Sequence, residues 1–162
     1  MILENAKISQ QIQNITSDDI IYNVCSMNHT GGLNAQVIPG LLCGATLIIE
    51  EFDAFKFNKR IQDTQCTLIH LVPKMLQSLR KVEKHNLRFV AAGSDCILKE
   101  YVEKYLKIGV PFMINYGMSE AGPIIINHTF KTMDELDVFD KGIPLGNNVT
   151  CDYKIENKEL LL

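Results

Sequence analysis

The chain has 162 residues, 46% of them hydrophobic and 22% charged, with a net charge of -3. That is enough material for one globular domain with a sizeable core. The balance excludes the basic footprint of a nucleic-acid-binding domain, and no apolar run is long enough to span a bilayer.

In chain order, MILENAKISQQ has neither the basic start nor the apolar centre of a signal peptide. Ile8, Ile12 and Ile15 mark an amphipathic helix that ends before Ser17-Asp18-Asp19. Short apolar runs at 20–25, 45–49, 67–71, 89–92 and 112–115 read as buried strands. Residues 33–43 read as helical, stopped by Gly44 and kinked or split by Pro39. A further helix follows Asp53, a plausible N-cap, and buries Phe57 and Ile61. The next starts at Pro73, with Met75, Leu76, Leu79 and Val82 on one face and Arg80, Lys81 and Lys84 on its solvated side. Another covers 98–108, burying Tyr101, Val102, Tyr105 and Leu106 and ending at Gly109. After Gly142 the pattern changes to a β-hairpin, 149–155 and 160–162, turning at Asn157. The chain stops inside the second hairpin strand, which is the expectation for a piece of a longer protein.

Strands alternating with helices predict an α/β fold, a mostly parallel sheet flanked by helices in βαβ units and ending in the hairpin. The five cysteines are odd in number, scattered and without a C-x-x-C, so a reducing, cytoplasmic setting is expected.

Three stretches carry candidate chemistry. INYGMSEAGP, 114–123, follows an apolar strand, where ligands of open α/β sheets bind. Tyr116 offers a flat face for a base and Asn115 a partner for a purine amino group. Gly117 allows close approach to the backbone. Ser119 and Glu120 together suit a phosphate oxygen and a divalent cation, since hard cations take oxygen ligands. The alternative is a strand end, a turn and a helix start that Ser119 and Glu120 merely cap, and the residues alone leave both open. AAGSD, 91–95, is a small-residue turn able to pass along a nucleotide, or a plain strand–helix turn. In MNHTGGLN, 27–34, His29 precedes two glycines; a loop histidine of this kind is usually structural. There is no G-x-x-x-x-G-K-[ST] and no G-x-G-x-x-G. His29, His70, His85 and His128 have no zinc spacing, and no local signature supports a Cys–His nucleophile.

Together these stretches resemble the adenylate-forming enzymes: acyl- and aryl-CoA ligases, luciferases and peptide-synthetase adenylation domains. YGMSEAGP is similar to that family's Y-G-x-[ST]-E motif, in the form common among acyl-CoA and coumarate–CoA ligases. FVAAGSDCI resembles its G-G-A-P-L segment. NHTGGLNAQVIPGLLCGATLIIEEFD resembles the stretch from an aromatic or histidine to G-A-T and a strand. TLIHLVPKMLQSL resembles its strand–V-P–helix, and KGIPLGNNVTCDYKIENKELL its G-x-P-L-x-x-V hairpin.

The resemblance covers nearly the whole chain and implies carboxylate activation by ATP with Mg2+. An acyl-adenylate forms first, and then a thioester to CoA or, as the runner-up, to a carrier protein. It implies that Ser119 contacts phosphate and Glu120 binds magnesium. Tyr116, Gly117 and Met118 line the nucleotide, with Asn115, Gly93, Ser94 and Asp95 along the adenine edges. His29, Val72 and Met118 lie near the acyl pocket. Two positions depart from the pattern: Ser119 replaces the usual threonine, and Asp95-Cys96 replaces Ala/Glu-Pro. The family's lysine-bearing phosphate loop, ribose-binding aspartate and C-terminal lid are expected before Met1 or after Leu162. Little turnover is therefore expected from these residues alone, and self-association through an apolar patch is expected of a fragment. The rival reading from another class is a non-catalytic module that binds a nucleotide or a protein partner.

Overall fold

The computed structural model describes residues 2–139 and 143–161. A seven-stranded sheet runs in the order β2-β1-β3-β4-β5-β6-β7. Five strands are parallel: β1 (Ile20–Asn23), β2 (Thr46–Ile49), β3 (Leu68–Leu71), β4 (Phe89–Ala92) and β5 (Phe112–Met118). β6 (Gly122–Phe130) and β7 (Asn148–Val149) add antiparallel at one edge. A separate hairpin pairs β8 (Lys154–Glu156) with β9 (Glu159–Leu161). The α/β fold, the parallel sheet and the terminal hairpin are as the sequence predicts.

Side chains alternate across the sheet with period two, and each face buries its own core. On one face Tyr22, Ile69, Leu71, Val90, Ala92, Phe112 and Ile114 pack with residues of α4 (Phe57–Thr64), α5 (Pro73–Ser78) and α6 (Lys99–Leu106). On the other, Ile21, Leu68, Phe89, Ala91 and Met113 share a smaller core with Ile15 and Ala35. That second face is covered by α1 (Ile2–Gln13) and by the segment of residues 30–43.

The 30–43 segment splits into three pieces. A turn, α2 (Thr30–Gly32), leads into a π-helical stretch, Leu33–Val37, and then α3 (Ile38–Cys43), which ends at Gly44 with φ +79°. Pro39 has no N–H to offer the Ala35 carbonyl four residues back. The Gln13 side chain of α1 donates to that carbonyl instead, at 2.7 Å. The buried face of α1 is consequently Ala6, Ser9 and Gln13, with Ile8 and Ile12 only half-buried.

Several expectations are corrected. α5 ends at Ser78, where Leu79 turns extended (ψ 104°). Leu79 and Val82 are still buried, but Arg80, Lys81 and Lys84 lie in the coil after the helix. Asp53 caps the turn before α4, its Oδ1 accepting from the N–H groups of Phe55 and Lys56. β5 runs past Asn115 to Met118, and an antiparallel strand follows where a helix start was the alternative. Val149 pairs with Ile126 of β6 and does not join the terminal hairpin. That hairpin turns at Asn157 and Lys158, both at positive φ, the signature of a type I′ turn. Its predicted last residue, Leu162, lies outside the described residues, as do 140–142.

Candidate functional site

The carboxyl ends of β1, β3, β4 and β5 line up along one rim of the sheet. Three cavities open there. The first, about 400 Å³, is bordered by Ser94, Asp95, Cys96 and Ile97 after β4 and by Ile114, Asn115, Tyr116 and Gly117 of β5. Ile143, Pro144 and Leu145 close its third side. The second, about 430 Å³, lies between the β1 and β3 loops and includes Cys25, His29, His70, Val72 and Met75. Ser94 and Asp95 border both. A void of about 20 Å³ between them touches His29, His70, Ser94, Asn115 and Gly117.

The AAGSD turn is shaped by packing. A Cβ on Gly93 would sit 2.5 Å from the Asn115 carbonyl oxygen and 2.7 Å from its side-chain nitrogen. Gly93 thus lets β4 and β5 close at the rim, and it lines none of the three cavities itself. Ser94 follows with φ +78°, a left-handed conformation rare for a residue with a side chain. This backbone places Ser94 at the border shared by the two large cavities.

Asn115 is buried, and its Nδ2 donates to the Pro123 carbonyl at 3.0 Å across the β5–β6 hairpin. Its Oδ1 is buried without a hydrogen-bond partner. The amide orientation is therefore fixed with the acceptor left over. Tyr116 is half-buried on the wall of the first cavity. Gly117 allows a close approach, but the group that approaches is the chain itself: a Cβ there would lie 2.3 Å from the Pro123 carbonyl oxygen. The register slips between Tyr116 and Met118 at this point.

Ser119 and Glu120 sit in the hairpin turn and are exposed. They stand beyond the end of β5, outside the walls of the three cavities. Met118 is also exposed, at 38%, and does not join His29 and Val72 at the second cavity. This departs from the expected grouping, because β5 continues as a strand and carries Met118 past the rim.

His29 is exposed at the mouth of the second cavity and caps α2, its Nδ1 accepting from the Gly31 N–H at 3.2 Å. His70, at the end of β3, was not singled out by the sequence. The residue is 2% exposed, and burial, with the nearby His29, lowers its pKa from 6.5 to about 4. Its Nδ1 has no hydrogen-bond partner. The available signal was a polar residue inside the apolar strand LIHL. Ile97 and the segment 143–145 were also unanticipated; chain proximity gives no hint that they meet Tyr116.

The cavity beside Tyr116 is within the size range of small-ligand sites, has apolar walls, and holds one buried free acceptor, all of which suit a purine base. A single exposed carboxylate beyond it suits magnesium, which is commonly held by one or two carboxylates together with substrate phosphates. Among the described residues no group of three His, Cys, Asp or Glu side chains gathers as a metal cage. No described helix is long and apolar enough to cross a membrane, and all five cysteines are free thiols.

The chain belongs to the AMP-binding enzyme family, whose model matches residues 2–159. Indoleacetate–CoA ligase of Aromatoleum aromaticum is 31% identical over 127 residues, which are 74% of this chain and 25% of that protein. 4-Coumarate–CoA ligase 1 of Petroselinum crispum is 32% identical over 119 residues, 67% of this chain and 22% of that protein. The chain therefore spans about a quarter of the length of these relatives. Among solved structures, O-succinylbenzoate CoA synthetase of Bacillus subtilis, in complex with ATP and magnesium, superposes with a TM-score of 0.78 at 22% identity. That alignment takes in 99% of this chain and 34% of the other, and it establishes the shared fold.

Proposed function

We propose that this chain provides the adenine- and acyl-binding part of an ATP-dependent acid–thiol ligase. The acid's carboxylate oxygen attacks the α-phosphorus of ATP. A new P–O bond forms as the α–β bridging bond breaks, and pyrophosphate leaves. A thiol sulfur then attacks the acyl carbonyl carbon and AMP departs. CoA is the proposed acceptor, since the relatives named above are CoA ligases by name; a carrier protein is the second candidate within the class.

Tyr116 stacks on adenine, and the free Oδ1 of Asn115 accepts from its amino group. Gly93 positions, and Ser94 and Asp95 border, the base edge. Gly117 and Met118 carry the backbone on to Ser119, which contacts phosphate, and to Glu120, which holds magnesium. His29 and Val72 border the acyl group, with Met118 at its outer end. When bound, magnesium offsets charge on the phosphates. The observation that carries this reading is the first cavity, where two segments 20 residues apart in sequence, around Ser94 and Tyr116, border one space with a buried unpaired acceptor. The 162 residues hold no lysine-bearing phosphate loop, and charge stabilisation is usually the largest catalytic contribution, so the chain by itself binds without turning over.

Calorimetric titration of the chain with AMP and then MgATP tests this. AMP is expected to bind, with affinity falling at least about fivefold in Tyr116→Ala, because base–aromatic stacking contributes roughly 1–3 kcal/mol. A folded chain that ignores AMP would sink the reading.

A further inference from the structure

On the sheet face covered by α1 and the π-helical stretch, β3 places Leu68 and then His70. Leu68 lies in an apolar core, whereas His70 ends the stripe as a wall of the second cavity. The neighbouring strand repeats this. The β1–β3 register runs Ile21↔Leu68 and Tyr22↔Ile69, so Asn23 stands beside His70 one step further. Asn23 is fully buried, its Oδ1 taken by the Cys25 N–H and its Nδ2 without a partner. His70, with its unpaired Nδ1, thus borders a cavity to which Val72, Pro73 and Met75 give apolar walls, and Asn23 lies buried behind it.

A desolvated imidazole with an unpaired nitrogen is unfavourable unless a partner arrives, and buried polar groups in folded proteins are nearly always paired. The pairing His70 does make is through its backbone: its carbonyl accepts from the Cys25 thiol at 3.3 Å. The residue borders the cavity, with its ring Nδ1 buried and unpaired. His29 at the mouth has its Nδ1 occupied by the Gly31 N–H.

We propose that His70 determines specificity, its imidazole receiving a hydroxyl group on the acyl part of the acid. The inference rests on the reading that the cavity between His29 and Val72 takes the acyl group. A neutral imidazole presents one donor and one acceptor, and a hydroxyl complements either, so the pairing works in both tautomers. The substrate class is a hydroxylated acid, because a purely apolar acid would leave the His70 ring unpaired beside it. A site built around such a bond rejects the analogue that lacks it far more strongly than a greasy pocket distinguishes a methyl group.

The test titrates the chain with non-hydrolysable aryl-acyl sulfamoyl adenosines in matched pairs. Each pair carries a hydroxyl or a methyl at the same ortho, meta or para ring position. At least one hydroxy compound is expected to bind about tenfold or more tighter than its methyl match. In His70→Phe that ratio falls to about one, chiefly through loss of affinity for the hydroxy compound. AMP is titrated in parallel. If AMP fails to bind, the nucleotide reading fails and this inference with it. If AMP binds but no hydroxyl preference exists, or the preference survives His70→Phe, this inference alone is overturned. Should His70→Phe not fold, the 15N resonances of the His70 ring in the unaltered chain decide. They are expected to shift with the hydroxy compound and not with its methyl match, and equal responses overturn the proposal.

Discussion

Gly93 and Ser94 illustrate how adjacent residues serve one site by opposite means. Gly93 is required because the space a side chain would need is filled by Asn115, whereas Ser94 keeps a side chain in a conformation that favours glycine. Gly93→Ala is expected to cost about 1–3 kcal/mol, since the clash is with backbone and the strands must part. Ser94→Gly should change stability by no more than about 1 kcal/mol, because relief of the left-handed strain is offset by the added freedom of the unfolded chain. Urea unfolding of both variants checks the contrast; equal midpoints would mean that the rim is not held as described. The sequence flagged both residues as a small turn. It gave no sign of which one was constrained by packing, because the constraint comes from Asn115, 22 positions away.

Among the elements, the 30–43 segment shows a local rule meeting a tertiary answer. Pro39 had to disrupt the helix. How the freed Ala35 carbonyl would be satisfied depended on α1, whose Gln13 reaches it across the second core. Gln13→Leu is expected to cost about 1–3 kcal/mol by leaving that carbonyl buried and unpaired. Pro39→Ala returns an N–H to the same place, so the cost of Gln13→Leu should shrink by about 1 kcal/mol in that background. A double-mutant cycle by thermal or chemical unfolding measures this coupling, and strictly additive effects would refute it. The amphipathic reading of α1 placed Ile12 and Ile15 at the second core but missed Ser9 and Gln13 on the buried face, for a related reason. Ser9 and Gln13 are buried because each finds a backbone acceptor: Ser9 Oγ donates to Asn5 O at 2.9 Å, and the Gln13 amide to Ala35 O. Periodicity counts apolar positions and misses a polar residue that is paired.

At the scale of the whole molecule, two buried groups set the response to acid. Burial works to raise the pKa of Asp19, but hydrogen bonds from Arg88, Thr67 and Thr16 outweigh it and hold the carboxyl at about 2, from 3.8. Arg88 Nη2 and Asp19 Oδ2 are 2.7 Å apart, and Arg88 also donates to the Asn14 carbonyl, joining the end of α1, the start of β1 and the start of β4. His70, neutral in the fold to about pH 4, takes a proton in the unfolded chain near 6.5. For both groups the unfolded chain binds more protons inside the window, so stability falls as pH falls. The His70 share, about 3 kcal/mol, is lost between pH 6.5 and 4; the Asp19 share, at most about 2 kcal/mol, is lost between 3.8 and 2. Denaturant titrations at stepped pH should show both declines, with His70→Phe flattening the first. A pH-independent midpoint from 7 to 4.5 in the unaltered chain would contradict the burial of His70. By itself the sequence determined the class of fold, the five parallel strands and the family, because alternation of buried runs with helical spacing and the Y-G-x-S-E and small-residue motifs are local signals. It also put the glycines and Pro39 at the right junctions. Only the tertiary structure decided that β5 continues through Tyr116 into an antiparallel partner, and that Ser94, Asn115 and residues 143–145 meet around one cavity. It alone brought the histidine in LIHL, to which the sequence gave no role, to the wall of the next cavity. Those outcomes follow from strand order and cross-chain packing, which depend on contacts between residues distant in sequence.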